Sequence, residues 1–174
     1  MTPSPPDEAR KVVRTLPDDI SAMVLSLAQA KLSALQLSGS ALDQRCTQAA
    51  SFELAAAAVA GALLATDNAS IFTRLFAALA AIAFVSAACF AFGGVRAGKQ
   101  HLPGINASWW APALETKDFD LKIARGWAAD YYEKAIIFNV SVDKKRSSAL
   151  DSSLLLSILA GVFVSLATLS RLAG

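Results

Sequence analysis

Residues able to do chemistry are sparse in this chain, and one of them stands where charge is costly. Glu53 is the only charged residue in 47–66. A carboxylate in so apolar a run is a candidate for an ion pathway or a gating contact. The plainer reading, and the stronger one, is an edge residue near the cytoplasmic end of the span, placed to reach headgroups, water or a basic partner such as Arg96 or Lys99. A second group is Arg125, Trp127, Tyr131, Tyr132 and Lys134, where three aromatics and two cations share a short helical stretch. At helical spacing such aromatics form core. They also suit a stacking platform for a nucleobase, with Arg125 or Lys134 holding phosphate. Lys144-Lys145-Arg146 is a basic cluster that sets topology and attracts anionic lipid, or binds a phosphate-bearing ligand. His101 is the single histidine, in a stretch expected to be a flexible, solvated loop. There is no HExxH, CxxC, GxSxG or Gly-rich phosphate loop, so no enzyme, cofactor or metal site is expected.

The elements that hold these residues follow from hydropathy. The 174 residues are 55% hydrophobic and 17% charged, which is greasy for a soluble domain of this length. Residues 75–95 and 152–170 carry no charge, and 47–66 carries only Glu53. At about 1.5 Å of rise per residue, each run reaches across a hydrocarbon core of roughly 30 Å. The expected class is an all-α integral membrane protein. Three transmembrane helices form it, a hairpin (47–66 and 71–95) and a C-terminal span (151–172). Thr66 and Ser70 bound the short hairpin turn, with polar side chains suited to capping the next helix. Ala55 to Ala58, Gly61, Ser157, Gly161 and Ser165 are small and suit close helix contact, hence a homo-oligomer.

Charge orients the spans. Of 16 Lys and Arg, five precede the first span and nine lie between the second and third. The positive-inside rule then puts the N-terminus and 96–150 in the cytoplasm and the C-terminus outside. The expected location is the cell inner membrane. Net charge is +2, which gives no case for nucleic acid as a partner. Cys46 and Cys89 fit no metal spacing, and this topology places them poorly for a disulfide. The sequon Asn106-Ala107-Ser108 is a chance match in a cytoplasmic segment.

Two amphipathic cytoplasmic helices are expected beside the spans. Residues 1–17, rich in Pro, Asp and Arg, read as a disordered tail without a secretory signal. In 18–46, Ile20, Val24, Leu27, Ala30, Ala34, Leu37 and Ala41 form an apolar stripe. Residues 96–115 read as a loop, with Pro103-Gly104 as a turn and the pair Trp109-Trp110. In 116–150, Ile123/Ala124, Trp127/Ala128, Tyr131/Tyr132, Ala135/Ile136 and Val142 form a second stripe. With no Pro between, each helix is free to run into its span, and the two stripes to pack together.

The order of parts carries a resemblance. A cytoplasmic helix precedes a tight hairpin. The Trp-pair loop (SWWAPAL) follows, and then a helix ending AIIFNVSVDKKRSSALDSSLLLSILAGVFV. Over roughly residues 20–172 this resembles the small membrane effectors of nucleotide-signalled bacterial anti-phage systems. These are the Pycsar transmembrane effector family and the related two-span SLATT domain. Its local marks are Ala135/Ile136, Asn139, Lys144 or Lys145, and Leu150. The resemblance implies an oligomeric effector whose cytoplasmic part senses a cyclic nucleotide or a partner and whose spans disrupt the membrane. The residues leave two other functions open: an adaptor docking a soluble partner, and a small ion or proton channel using Glu53.

Overall fold

A computed structural model describes residues 6–66, 69–104 and 121–172, with side chains from residue 11 onward. The sequon, the Trp109-Trp110 pair and 116–120 lie outside the described residues. Every described element is a helix: α1 (Pro6–Thr15), α2 (Asp18–Leu64), α3 (Ile71–Val95) and α4 (Leu121–Leu172). Among the described residues, α2, α3 and α4 each contain a stretch long and apolar enough to cross a membrane. The chain divides into two compact units. One is Met1–Ser40 with Lys99–Asp143, and the other is Ala41–Gly98 with Lys144–Gly174. Both α2 and α4 run unbroken through the division.

Within the segment 1–17 expected to be a disordered tail, Pro6–Thr15 forms the helix α1. Arg14 sits in its last turn, where the macrodipole favours a cation. Val13 is buried, so the segment docks and does not stream into solvent. Pro17 ends this helix and starts the next, its carbonyl accepting from the Ser21 amide at 2.8 Å. Ser70 caps α3 as expected, its hydroxyl accepting from the Thr73 amide at 3.2 Å. At the other end the Ala97 amide donates to Gly94, and Gly98 at φ 136° turns the chain away, a conformation that favours glycine.

The unit of 1–40 and 99–143 packs Leu32 on Ala128, Tyr132 and Ala135, with Leu25 and Ala28 beside them. The contact uses a face of α2 other than the expected one. Ile20, Leu27 and Leu37 are exposed, as are Ala30, Ala34 and Ala41, and Val24 is half-buried. The buried positions are instead Ser21, Leu32 and Gly39. Steric fit decides this. Gly39 has no Cβ, and the Gln100 side-chain amide fills the space where a Cβ would lie, 2.0–2.4 Å from that position.

In the unit of 41–98 and 144–174, the core is Ala57, Ala60, Ala80, Ala83, Phe84 and Ala160. Large side chains such as Phe52, Val59, Phe72, Ile82, Leu155 and Ile158 point outward. This inverts the arrangement of a water-soluble protein, and apolar surroundings favour it: small residues let helices approach while bulky ones meet lipid. At the start of α3, Thr73 shares a hydrogen bond with Ser170 at 2.7 Å, joining it to the end of α4.

The buried seams keep a seven-residue period, the mark of helices wound together. On α2 one set at this spacing is Leu32, Gly39, Cys46, Glu53 and Ala60, with Ala50 and Ala57 also buried. On α4 it is Tyr132, Asn139, Arg146, Ser153, Ala160 and Ala167. Gly39, Glu53, Asn139, Arg146 and Ser153 among these are polar or lack a side chain, so a search for apolar stripes passes over them.

Candidate functional site

In the first unit a cavity of about 520 Å³ is lined by Ala22, Leu25, Ser26, Gln29, Gly104, Arg125, Ala128 and Tyr132. Helical spacing on α2 brings Ala22, Ser26 and Gln29 to one wall, and Arg125, Ala128 and Tyr132 of α4 form the other. Of the expected platform, Arg125 and Tyr132 come together here. Arg125 is only partly free for a ligand. Its Nη1 donates to the Asp18 carbonyl at 2.9 Å and to the Ser21 hydroxyl at 2.8 Å, and pairs with the Asp18 carboxylate at 3.2 Å. It thus clasps α4 to the first turn of α2. Tyr131 meets Tyr132 edge-on at 5.7 Å. Burial, and then Tyr131, pushes the Tyr132 phenol above its usual range, so the hydroxyl stays neutral. Trp127 and Lys134 are exposed and do not line the cavity. Lys134 pairs with Asp130 one turn back at 2.9 Å, a contact typical of a helix surface.

The loop of 99–104 is fixed where described. Buried Asn139 donates to the His101 carbonyl at 3.0 Å and accepts from its amide at 2.8 Å, so one side chain reads a backbone pair. Gln100 donates to Asp143 at 2.7 Å. The His101 ring is exposed but stands edge-on to Phe138 at 4.8 Å. The expectation of a flexible, freely solvated loop is therefore corrected at this point: His101 is held from both sides.

The second unit contains the polar residues that hydropathy missed or misjudged. Glu53 is 2% exposed. The edge reading is corrected: Arg96 and Lys99 are exposed, and the partner of Glu53 is Ser157, whose Oγ contacts Oε1. Oε2 of Glu53 and Oγ of Ser153 are buried without partners. The basic cluster splits. Lys144 and Lys145 are exposed, while Arg146 is 3% exposed. Its Nε lies 2.9 Å from the Asp43 carboxylate, an ion pair without an aligned hydrogen bond, and Nη2 donates to the Gly98 carbonyl at 2.9 Å. One guanidinium thus links α2, α4 and the exit of α3. The signal for Arg146 in the sequence is its place seven residues after Asn139 and seven before Ser153.

These features define a class: an all-helical chain, among the described residues, with three helices apt to cross a membrane and a polar seam buried between them. Comparison with family models, curated proteins and solved structures finds no match.

Proposed function

We propose that this chain is a small membrane effector of anti-phage defence. The cytoplasmic unit, 1–40 with 99–143, takes a nucleotide signal or a protein partner, and the three spans then compromise the inner membrane. The observation that carries this reading is the continuity of α2 and α4, each an unbroken helix with residues in both units. A ligand that favours one spacing of the helices around the cavity acts on the same two helices that supply two of the spans. That is a population shift carried by rigid elements. Arg125, Gln29, Ser26 and Tyr132 offer the donors and the ring edge that a nucleotide monophosphate uses. The resemblance described above supports the class of signal. The test is inducible expression with a membrane-potential dye, with and without cyclic mononucleotides supplied by a co-expressed cyclase. Depolarisation that needs the signal, and its loss in Gln29→Leu at equal expression, is expected. Normal growth and intact potential under every signal would overturn the reading.

The exposed stripe on α2, with Ile20, Met23, Leu27 and Leu37 open to solvent, favours a second reading as an adaptor that docks a soluble partner. A photocrosslinker at Leu27 separates the two. Capture of one partner with no change in potential supports the adaptor. Self-crosslinking supports an oligomeric effector.

A further inference from the structure

The hydrogen bonds around Ser157 do not balance if Glu53 is charged. A serine hydroxyl has one proton to donate and lone pairs to accept. Ser157 Oγ donates to the Ser153 carbonyl at 2.8 Å. The same Oγ is in hydrogen-bond contact with Glu53 Oε1. With a carboxylate, two bare oxygens compete for one proton. With the acid form, every contact has its own proton: Glu53 donates to Ser157, and Ser157 donates to Ser153.

Among the described residues, no cation forms an ion pair with Glu53. Glu53 is 2% exposed and has no ion pair. The buried face of α3 is Thr73, Phe84, alanines and Gly94, with no ionisable group. On α4 the buried cation is Arg146, already engaged by Asp43 and the Gly98 carbonyl. Lys144 and Lys145 are exposed, and on α2 the buried titratable neighbour one heptad back is Cys46, a neutral thiol. An uncompensated carboxylate in such a place is far costlier than a neutral acid.

We propose that Glu53, Ser153 and Ser157 form a proton-binding site between α2 and α4. Glu53 is held there as the neutral acid, donating to Ser157. Oε2 is then a carbonyl oxygen, buried without a partner at far smaller cost than a carboxylate oxygen. Release of the proton breaks the Glu53 O–H bond, leaves the electron pair on oxygen and passes the proton to water. The carboxylate left behind demands water, so proton release and parting of the α2–α4 seam are coupled. The inference needs the buried seam and not the effector reading.

Infrared difference spectroscopy of the full chain in lipid nanodiscs, wild type minus Glu53→Gln at neutral pH, tests it without any assay of activity. The expected result is a carboxylic-acid C=O band of one group per chain, shifting in heavy water and absent from the variant. Gln keeps the shape and donates to Ser157, so the variant should unfold no earlier than wild type. Carboxylate bands in place of the acid band would overturn the proposal. Sodium-dependent stabilisation lost in Glu53→Gln would also overturn it, by making the site one for an alkali cation. Should Glu53→Gln fail to fold, Ser157→Ala serves. The C=O band must persist and move to the frequency of a less hydrogen-bonded acid, and an unmoved band overturns the geometry.

Discussion

Asn139 and Arg146 do at single positions what apolar packing does elsewhere. Asn139 is fully buried and satisfies both backbone groups of His101. Asn139→Leu leaves those groups unpaired, and thermal or denaturant unfolding should report a loss of about 1–3 kcal/mol for each one that water does not reach. Arg146→Met strands the Asp43 charge. Removing one partner of a fully buried pair costs roughly 3–5 kcal/mol, and the loss here should be smaller because the Asp43 side chain keeps 37% exposure. The double variant Asp43→Asn/Arg146→Met should recover much of it, and failure to recover would mean that Gly98 is the partner that matters. Cys46, 0% exposed, should resist alkylation until the protein unfolds. Rapid labelling in folded protein would contradict its position. At this scale the sequence made Glu53 legible, because a charge interrupts a greasy run. It left Asn139 and Arg146 illegible, since each looks like an ordinary polar residue until a neighbouring helix covers it.

The elements were largely readable, and their faces were not. Three apolar runs became α2, α3 and the end of α4 because length and hydropathy suffice to specify a span. The apolar stripe of Ile20, Leu27 and Leu37 was the conspicuous one, yet α2 buries Leu32 and Gly39. Two glycines side by side on α3 give a sharp test of packing. A Cβ on Gly94 would sit 2.9 Å from Cys46 Sγ and 3.3 Å from Ala149, whereas a Cβ on Gly93 meets nothing within 4 Å. Gly93→Ala should therefore stabilise by about 0.5–1 kcal/mol through reduced backbone entropy. Gly94→Ala should destabilise, and Gly94→Val should do so more strongly, because the neighbours at Gly94 include the backbone of Arg146. Equal melting shifts for the Gly93 and Gly94 variants would contradict this packing.

For the whole molecule, charge distribution makes a prediction that helix packing does not. We propose three crossings, which put the two ends of the chain on opposite sides, with the nine basic residues in 96–150 favouring the inside for that segment. Reporter fusions should find the N-terminus and residue 100 on the cytoplasmic side and the C-terminus outside. A C-terminal reporter active in the cytoplasm would overturn this topology and, with it, the proposed route from signal to membrane.

The sequence by itself determined that the chain is helical, where its apolar runs lie and where the one acid within 47–66 falls. These depend on composition and local period, which each segment carries alone. Tertiary structure decided which face of α2 is buried, that Arg146 parts company with Lys144 and Lys145, and that Ser157 stands against Glu53. The physical reason is that close helix contact selects for small size and matched hydrogen bonds. Gly39, Gly94, Asn139 and Ser153 reveal that role only when the opposing surface is in place.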